Sequence, residues 1–171
     1  MTTEQALAFL QAHQPMPDDR DLSEALIRKY DEIRQFFLAH PNPRCIPLFL
    51  TSFGAGDGLG VYQLVEDVVR RFSRETVVPH LQHGLAHPQR SSRYWNAEIA
   101  AHFPSPALLE LLGKLLTEDD EDLQTAAAIA LGQLQDARAE TLLRNALANA
   151  RTPHLTMVLH KLVSNTRARV S

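Results

Sequence analysis

Apolar residues recur along this chain with the spacing of amphipathic helices. Val77, Val78, Leu81 and Leu85 lie at positions i, i+1, i+4 and i+8, which places them on one face of a helix. No segment alternates strongly between apolar and polar residues, as a half-buried strand does. Helix-ending residues punctuate the pattern at Pro41, Pro43, Gly54 to Gly60, Pro88, Pro104, Pro106 and Pro153. The pattern predicts an all-α protein.

The predicted helices form a regular series of pairs after two leading helices. The leading helices cover about residues 3–13 and 21–39. Four helix pairs follow, over about 43–53 with 60–72, 75–87 with 91–103, 106–117 with 121–134, and 138–149 with 153–164.

The pairs repeat with a period near 31 residues. Trp95 precedes Ala126 by this offset, Ile99 precedes Ala130, and Phe103 precedes Leu134. Because one such pair cannot bury its apolar face alone, stacked pairs must supply a common core. We therefore predict a single domain over residues 1–171, with capping helices in 1–40 and repeats in 43–73, 75–104, 106–136 and 138–164.

One segment carries a family resemblance. The run LQTAAAIALGQLQD, from Leu123 to Asp136, resembles the second helix of a HEAT-like repeat, whose usual pattern is Val-Arg-x-Ala-Ala-Ala-x-Ala-Leu-Gly-x-Ile-x-Asp. Ser92 to Ser105 is a poorer copy, and residues 1–40 depart from the pattern. The resemblance covers roughly residues 43–163 and implies an α-α superhelix, a HEAT-like solenoid of about four helix pairs with an N-terminal helical cap.

Composition and charge narrow the class of protein. The chain has 171 residues, 44% of them hydrophobic, which disfavours wholesale disorder. Its formal net charge of −3 disfavours a nucleic-acid partner, since phosphate-binding proteins usually carry a basic excess. One cysteine, Cys45, excludes an internal disulfide framework. With no signal-like start and no long apolar run, we expect a cytoplasmic protein without a membrane partner.

The small net charge hides an asymmetry between two neighbouring segments. Residues 105–136 carry seven acidic residues against one basic residue, whereas residues 137–171 carry six basic residues against one acidic residue. Such a split is ordinary for a solvated helical surface, but it can also steer a charged partner. The run Glu118 to Asp122 is expected to cap the helix that follows it, or alternatively to mimic an anionic ligand or dock a basic partner.

The glycine-rich stretch Gly54 to Gly60 is a candidate phosphate cradle whose context disfavours that function. A dinucleotide fingerprint needs a preceding strand, and an NTPase phosphate loop needs Lys-Ser/Thr after its last glycine. Here a predicted helix precedes the stretch, and Val61 and Tyr62 follow it. The stretch is better interpreted as a connection between helices, with Asp57 as a helix cap.

Metal and catalytic signatures are weak. His80, His83 and His87 share a helical face, but no cysteine and few acidic residues accompany them, so we interpret them as solvated histidines and predict no metal and no cofactor. No Ser-His-Asp or Cys-His signature is present, and we predict no catalytic residues and no enzyme activity.

A binding surface is predicted on the second helices, because the inner helices of a solenoid line its concave face. Trp95 aligns with Ala126 and is expected to be buried, and Tyr62 and Tyr94 have the alternative of packing between repeats. The protein-binding residues predicted to point away from the buried stripe are Tyr62, Gln63, Glu66, Arg70, Arg93, Tyr94, Glu98 and His102.

We predict a non-catalytic protein-binding module, and a monomer or weak dimer. Its most specific form is similar to bacterial immunity proteins, which bind and neutralise a cognate toxin. Two alternatives stay open: a bilin lyase or accessory scaffold subunit, and a helical-repeat DNA-lesion glycosylase or DNA binder. The last needs a basic concave face, which the charge count disfavours.

Overall fold

The computed structural model of the chain describes the backbone of residues 1–170 and the side chains of residues 1–165. Within that part, all regular secondary structure is helical, which confirms the predicted fold class of all-α helical repeats. The chain divides into two compact units, Met1–Asn96 and Ala97–Ser171, called unit 1 and unit 2 below. The predicted single domain and continuous solenoid stay predictions.

The helices follow the predicted order. Their bounds are α1 Thr3–Ala12, α2 Glu24–Ala39, α3 Cys45–Leu50, α4 Val65–Val69, α5 Arg74–Leu85, α6 Arg90–Ala100, α7 Leu109–Leu115, α8 Glu121–Gly132, α9 Ala137–Asn149 and α10 Pro153–Val170. Short 3-10 turns, Tyr62–Leu64 and Pro106–Leu108, lead into α4 and α7.

Unit 1 stacks its helices in two rows. Helix α1 packs against α3 and α3 against α5, while α2 packs against α4. Residues 1–40 therefore form a helix pair that stacks in the same register as the pairs after it, although their sequence departs from the repeat pattern. Buried aromatic residues fill the space between the rows and meet edge to face, including Tyr30, Phe37, Phe49, Phe53 and Tyr62.

The second helix of the first repeat is shorter than predicted. The sequence pattern predicts a helix over about 60–72, but α4 spans only Val65–Val69 behind its 3-10 turn. The preceding loop holds Gly56, Gly58, Leu59 and Gly60 at positive φ. Backbone in this left-handed region cannot continue a right-handed helix, so the glycine-rich loop delays the helix start.

Two aspartates hold this loop in place. Asp18 Oδ1 accepts a hydrogen bond from the Ala55 N–H, and the Asp19 carboxylate accepts from the N–H groups of Asp57 and Gly58, each at 3.0 Å. Asp57 Oδ1 accepts from the Gly60 N–H within the loop. Asp57 is therefore not the predicted helix cap, because the cap residue of the following 3-10 turn is Val61 and receives no side-chain bond. These loop N–H groups thus bond within the protein, which supports a connection between helices over a phosphate cradle.

Unit 2 shows the same stacking in its clearest form. Helix α7 pairs with α8 and α9 with α10, while α7 also packs against α9 and α8 against α10. First helices therefore lie beside first helices, and second beside second, as in stacked repeats. The predicted apolar stripe of the second helix is buried, and its members are Leu123, Ala126, Ala127, Ala130, Leu131 and Leu134.

Replacing Asp19 by alanine is expected to lower the free energy of unfolding by about 2 kcal/mol, because two loop N–H groups lose their acceptor. Urea denaturation measures this change. The control is Asp21→Ala, whose carboxylate forms an exposed ion pair with Arg20, and it should stay within about 0.5 kcal/mol of wild type. Equal effects of the two substitutions would contradict the anchoring role of Asp19.

Replacing Gly84 by alanine is expected to cost about 2 kcal/mol in unfolding free energy. A Cβ at residue 84 would lie 2.2 Å from Asn96 Cγ. Asn96 cannot easily yield, because it is buried and its Nδ2 donates to the carbonyl oxygens of Leu50 and Ser92. The matched variant is Gly113→Ala, whose Cβ would meet only the flexible end of Leu142 at 3.1 Å.

The Gly113→Ala variant is expected to stay within about 1 kcal/mol of wild type, because alanine favours the helix more than glycine does. Chemical denaturation of both variants tests the pair. A Gly84→Ala protein as stable as Gly113→Ala would show that Asn96 can move aside.

Candidate functional site

A groove of about 640 Å³ lies in unit 2, beside the turns that join α7 to α8 and α9 to α10. Stacking of the two helix pairs brings these turns to the same end of the unit, so their side chains line one cavity. We call this cavity the acidic groove. Its carboxylate side chains are Glu118, Asp119, Asp120 and Glu121, and its other polar residues include Gln124, Asn145, Asn149, Arg151 and Thr152.

The carboxylate wall of the acidic groove is built by the start of α8. Asp120 caps this helix, since its Oδ1 accepts from the Leu123 N–H at 3.1 Å. Gln124 Nε2 donates to the carbonyl oxygens of Leu116 and Glu118 at 3.3 and 2.8 Å, which ties the turn to the helix. The predicted capping by the acidic run is therefore present at Asp120, while Asp119 stays exposed at the rim.

The opposite wall comes from α9, α10 and the turn between them, and α7 also contributes to the floor. Asn149 Nδ2 donates to the Asn145 carbonyl oxygen at 2.8 Å, and Thr152 Oγ1 accepts from the Leu155 N–H at the start of α10. Apolar groups contribute the floor, and they are Gly113, Leu116, Leu142, Ala146, Ala150 and Leu155. The cavity thus combines an apolar surface with a polar rim, as ligand-binding grooves commonly do.

The acidic groove has a negative electrostatic balance. Among the side chains with described positions, four carboxylates line it against one guanidinium, that of Arg151. Arg151 Nη1 lies 3.7 Å from Asp119 Oδ1, and the two side chains are 85% and 98% exposed. Because exposed ion pairs at such distances are worth little, this contact leaves the groove attractive to an incoming cation.

Tyr62 is not at the surface, and its predicted exposure is wrong. Its ring is fully buried, and its hydroxyl accepts a hydrogen bond from the Gly54 N–H at 3.2 Å. Burial raises the pKa of Tyr62 to about 12, which keeps the phenol neutral at ordinary pH. The error is one of helical phase, because Tyr62 lies three residues before buried Val65 and shares its face.

The other predicted residues of the first repeat lie at the surface of unit 1. Gln63 is exposed and its Nε2 donates to the Gly60 carbonyl oxygen at 3.1 Å. Arg70 is exposed and forms an ion pair with half-buried Glu66 at 3.0 Å. These side chains have the accessibility that a binding surface needs, and their predicted role stays a prediction.

The predicted residues of the second repeat are less accessible. Arg93 is half-buried, and its Nη1 donates to the carbonyl oxygens of His87 and Pro88 at 3.1 and 2.8 Å. Tyr94 is half-buried beneath the Arg90 guanidinium, which lies 5.5 Å from the ring centroid. In unit 2, Glu98 is half-buried and His102 is exposed.

Trp95 is buried, as its alignment with Ala126 predicts. Its Nε1–H donates to the Gly56 carbonyl oxygen at 3.2 Å, so the indole also helps to hold the glycine-rich loop of unit 1 in place. The interpretation of Trp95 as a packing residue is therefore confirmed.

His80 and His83 of α5, and His87 just beyond its end, stay close to the surface. Burial, followed by the neighbouring His83, lowers the pKa of His80 and of His87, and Arg93 lowers the pKa of His87 further. Among the side chains that the structure describes, no group of three or more histidine, cysteine or carboxylate ligands is placed to hold a metal ion.

Sequence reasoning identified only half of the acidic groove. The run Glu118 to Asp122 stands out as a charged turn, and docking of a basic partner was one of its interpretations. Asn145, Asn149 and Arg151 carry no comparable pattern. They join the site only because α9 stacks on α7 and carries the next turn to the same end.

Part of the chain is similar in sequence to a known protein family. The chain matches the family described as HEAT repeats over residues 78–167. No curated protein and no solved structure matches it. In the portion of the chain with described structure, each helix is too short or too polar to cross a membrane. The matched region spans more than half of the sequence and includes both helix pairs of unit 2, and the chain therefore belongs to the HEAT repeat family.

Proposed function

We propose that this chain is a non-catalytic protein-binding module whose acidic groove receives a positively charged segment of the partner. HEAT repeats form helical scaffolds that commonly mediate protein–protein interaction. The observation that carries the proposal is the acidic groove itself, where the described residues place four carboxylates against one guanidinium around an apolar floor.

The shape and chemistry of the groove support a protein partner. A volume of about 640 Å³ accommodates a few side chains of a partner segment. The apolar floor supplies the area that drives association, and the carboxylates supply orientation and attraction for cations. The same carboxylates repel a phosphate backbone, which disfavours DNA binding at this surface.

Within this class, toxin neutralisation is the most specific role we propose. The net charge of −3 suits an inhibitor of a basic enzyme. Mixing the purified protein with the products of neighbouring genes tests this role, and the absence of any stable complex counts against it. Bilin handling and DNA-lesion excision stay untested hypotheses from the family resemblance.

Replacing Asp119 by lysine is expected to weaken partner binding at least fivefold, because it places a cation at the rim opposite the partner's positive segment. Titration of the captured partner by calorimetry measures the change. Asp119 is 98% exposed, so the substitution should leave folding intact.

The matched control is Glu110→Lys. It makes the same charge change in the same unit, on an exposed α7 residue paired with Lys114 and outside the groove lining. A loss that is equal in the two variants reports only the net charge of the protein. That outcome would show that the acidic groove does not bind the partner.

The accessible residues predicted from the second helices are further candidates for contact with the partner, in each unit by itself. They are Gln63, Glu66, Arg70, Arg93 and Tyr94 in unit 1, and Glu98 and His102 in unit 2. We expect Tyr94→Ala and Glu98→Lys each to cost about 2 kcal/mol of binding free energy if these residues contact the partner.

The same calorimetric titration shows whether the partner contacts the acidic groove or the residues of the second helices. Unfolding curves must accompany the Tyr94→Ala titration, because the Tyr94 ring contacts Trp95 at a centroid distance of 5.0 Å. If both variants fold stably and bind the partner as tightly as wild type, Tyr94 and Glu98 are excluded as contacts of the partner.

A further inference from the structure

We infer that the acidic groove takes an arginine side chain from an exposed segment of the partner protein, and that Arg151 competes with that arginine for the carboxylate of Asp119. The inference rests on the proposed function and names the chemistry of its occupant. The guanidinium lies at the carboxylate wall, and the aliphatic stem lies on the apolar floor.

The lining of the groove fits the two parts of an arginine side chain. Leu142, Ala146 and Leu155 offer apolar surface for three methylene groups. Asp119 and Glu121 at the wall offer carboxylate oxygens, each group able to accept two parallel N–H bonds from a guanidinium. An arginine presents five donors in a planar fork and is less strongly hydrated than a lysine, so it gains more at a wall of acceptors.

The protein already holds a guanidinium at this rim. Arg151 Nη1 lies 3.7 Å from Asp119 Oδ1, which is longer than a hydrogen bond, and both side chains are almost fully exposed. The pair is therefore weak and can exchange for a better-placed partner at small cost. Arg151 also raises the charge of the groove lining by one unit, which reduces the attraction for any incoming cation.

This arrangement predicts opposite effects for the two members of the pair. Removing the charge of Arg151 frees Asp119 and makes the groove more negative, so an arginine ligand binds more tightly. Removing the charge of Asp119 takes away an acceptor, so the ligand binds more weakly. An anionic occupant requires the reverse of both signs, and an occupant held only by the apolar floor responds to neither.

The probe is a short blocked peptide in which one arginine stands between two leucines, and the control is the same peptide with neutral, isosteric citrulline in place of arginine. Titration of the full-length protein is followed by amide NMR shifts at low salt. We expect the arginine peptide to shift the amides of residues 118–121 and 145–151, and the citrulline peptide to bind at least threefold more weakly.

Three protein variants complete the experiment. Arg151→Gln is expected to tighten binding of the arginine peptide about two- to fivefold, and Asp119→Asn to weaken it by about the same factor. Glu110→Gln, outside the groove lining, should leave the affinity within about 1.5-fold of wild type. All three side chains are largely exposed, so each variant should keep the wild-type amide spectrum elsewhere.

The inference is overturned if wild type shows no shifts, if the shifts fall outside the groove, if citrulline serves as well as arginine, or if Arg151→Gln fails to tighten binding. Its failure is distinguishable from failure of the proposed function. If the peptide fails while Asp119→Lys still releases the captured partner and Glu110→Lys does not, the groove binds protein by other chemistry. If Asp119→Lys retains the partner, the groove is not the docking site.

Discussion

Close approach of helices around α8 is the constraint on which unit 2 depends. This helix packs against α7, α9 and α10, so the side chains between them must be small. The alanines of its buried face meet that requirement, and at Gly132 a Cβ would lie 2.6 Å from Leu162 Cδ2. The run of alanines that ends in glycine thus allows the close packing of the repeat. This requirement explains why the segment most resembles the family pattern.

Unit 1 reaches the same stacking by different means. Its α4 is too short to present a long alanine face, and a loop with several residues at positive φ takes the place of the missing turn. Such a loop exposes backbone N–H groups that need acceptors. Asp18 and Asp19 supply them from the connection between α1 and α2, and the Tyr62 hydroxyl and Trp95 indole bond to the loop from the other elements.

The candidate site follows from stacking rather than from any single motif. Each repeat ends its first helix in a turn, and stacking sets consecutive turns beside each other. In unit 2 one of these turns is acidic and the next contains Arg151, and between them lies an apolar floor made by side chains of three helices. Helix capping uses only part of the acidic turn: Asp120 caps α8, while Asp119 stays exposed at the rim.

The sequence by itself determined the helical class, the order of the helices, the repeat and the buried stripes, because a 3.6-residue period and helix-ending residues are local properties. Local pattern failed at the start of α4, where hydrogen bonds to Asp19, some 40 positions away, hold the preceding loop. It also could not assemble the groove, since Asp119 and Arg151 meet only through the packing of α7 against α9. Only the tertiary structure decides which distant turns become neighbours, because that depends on how whole helices fit together.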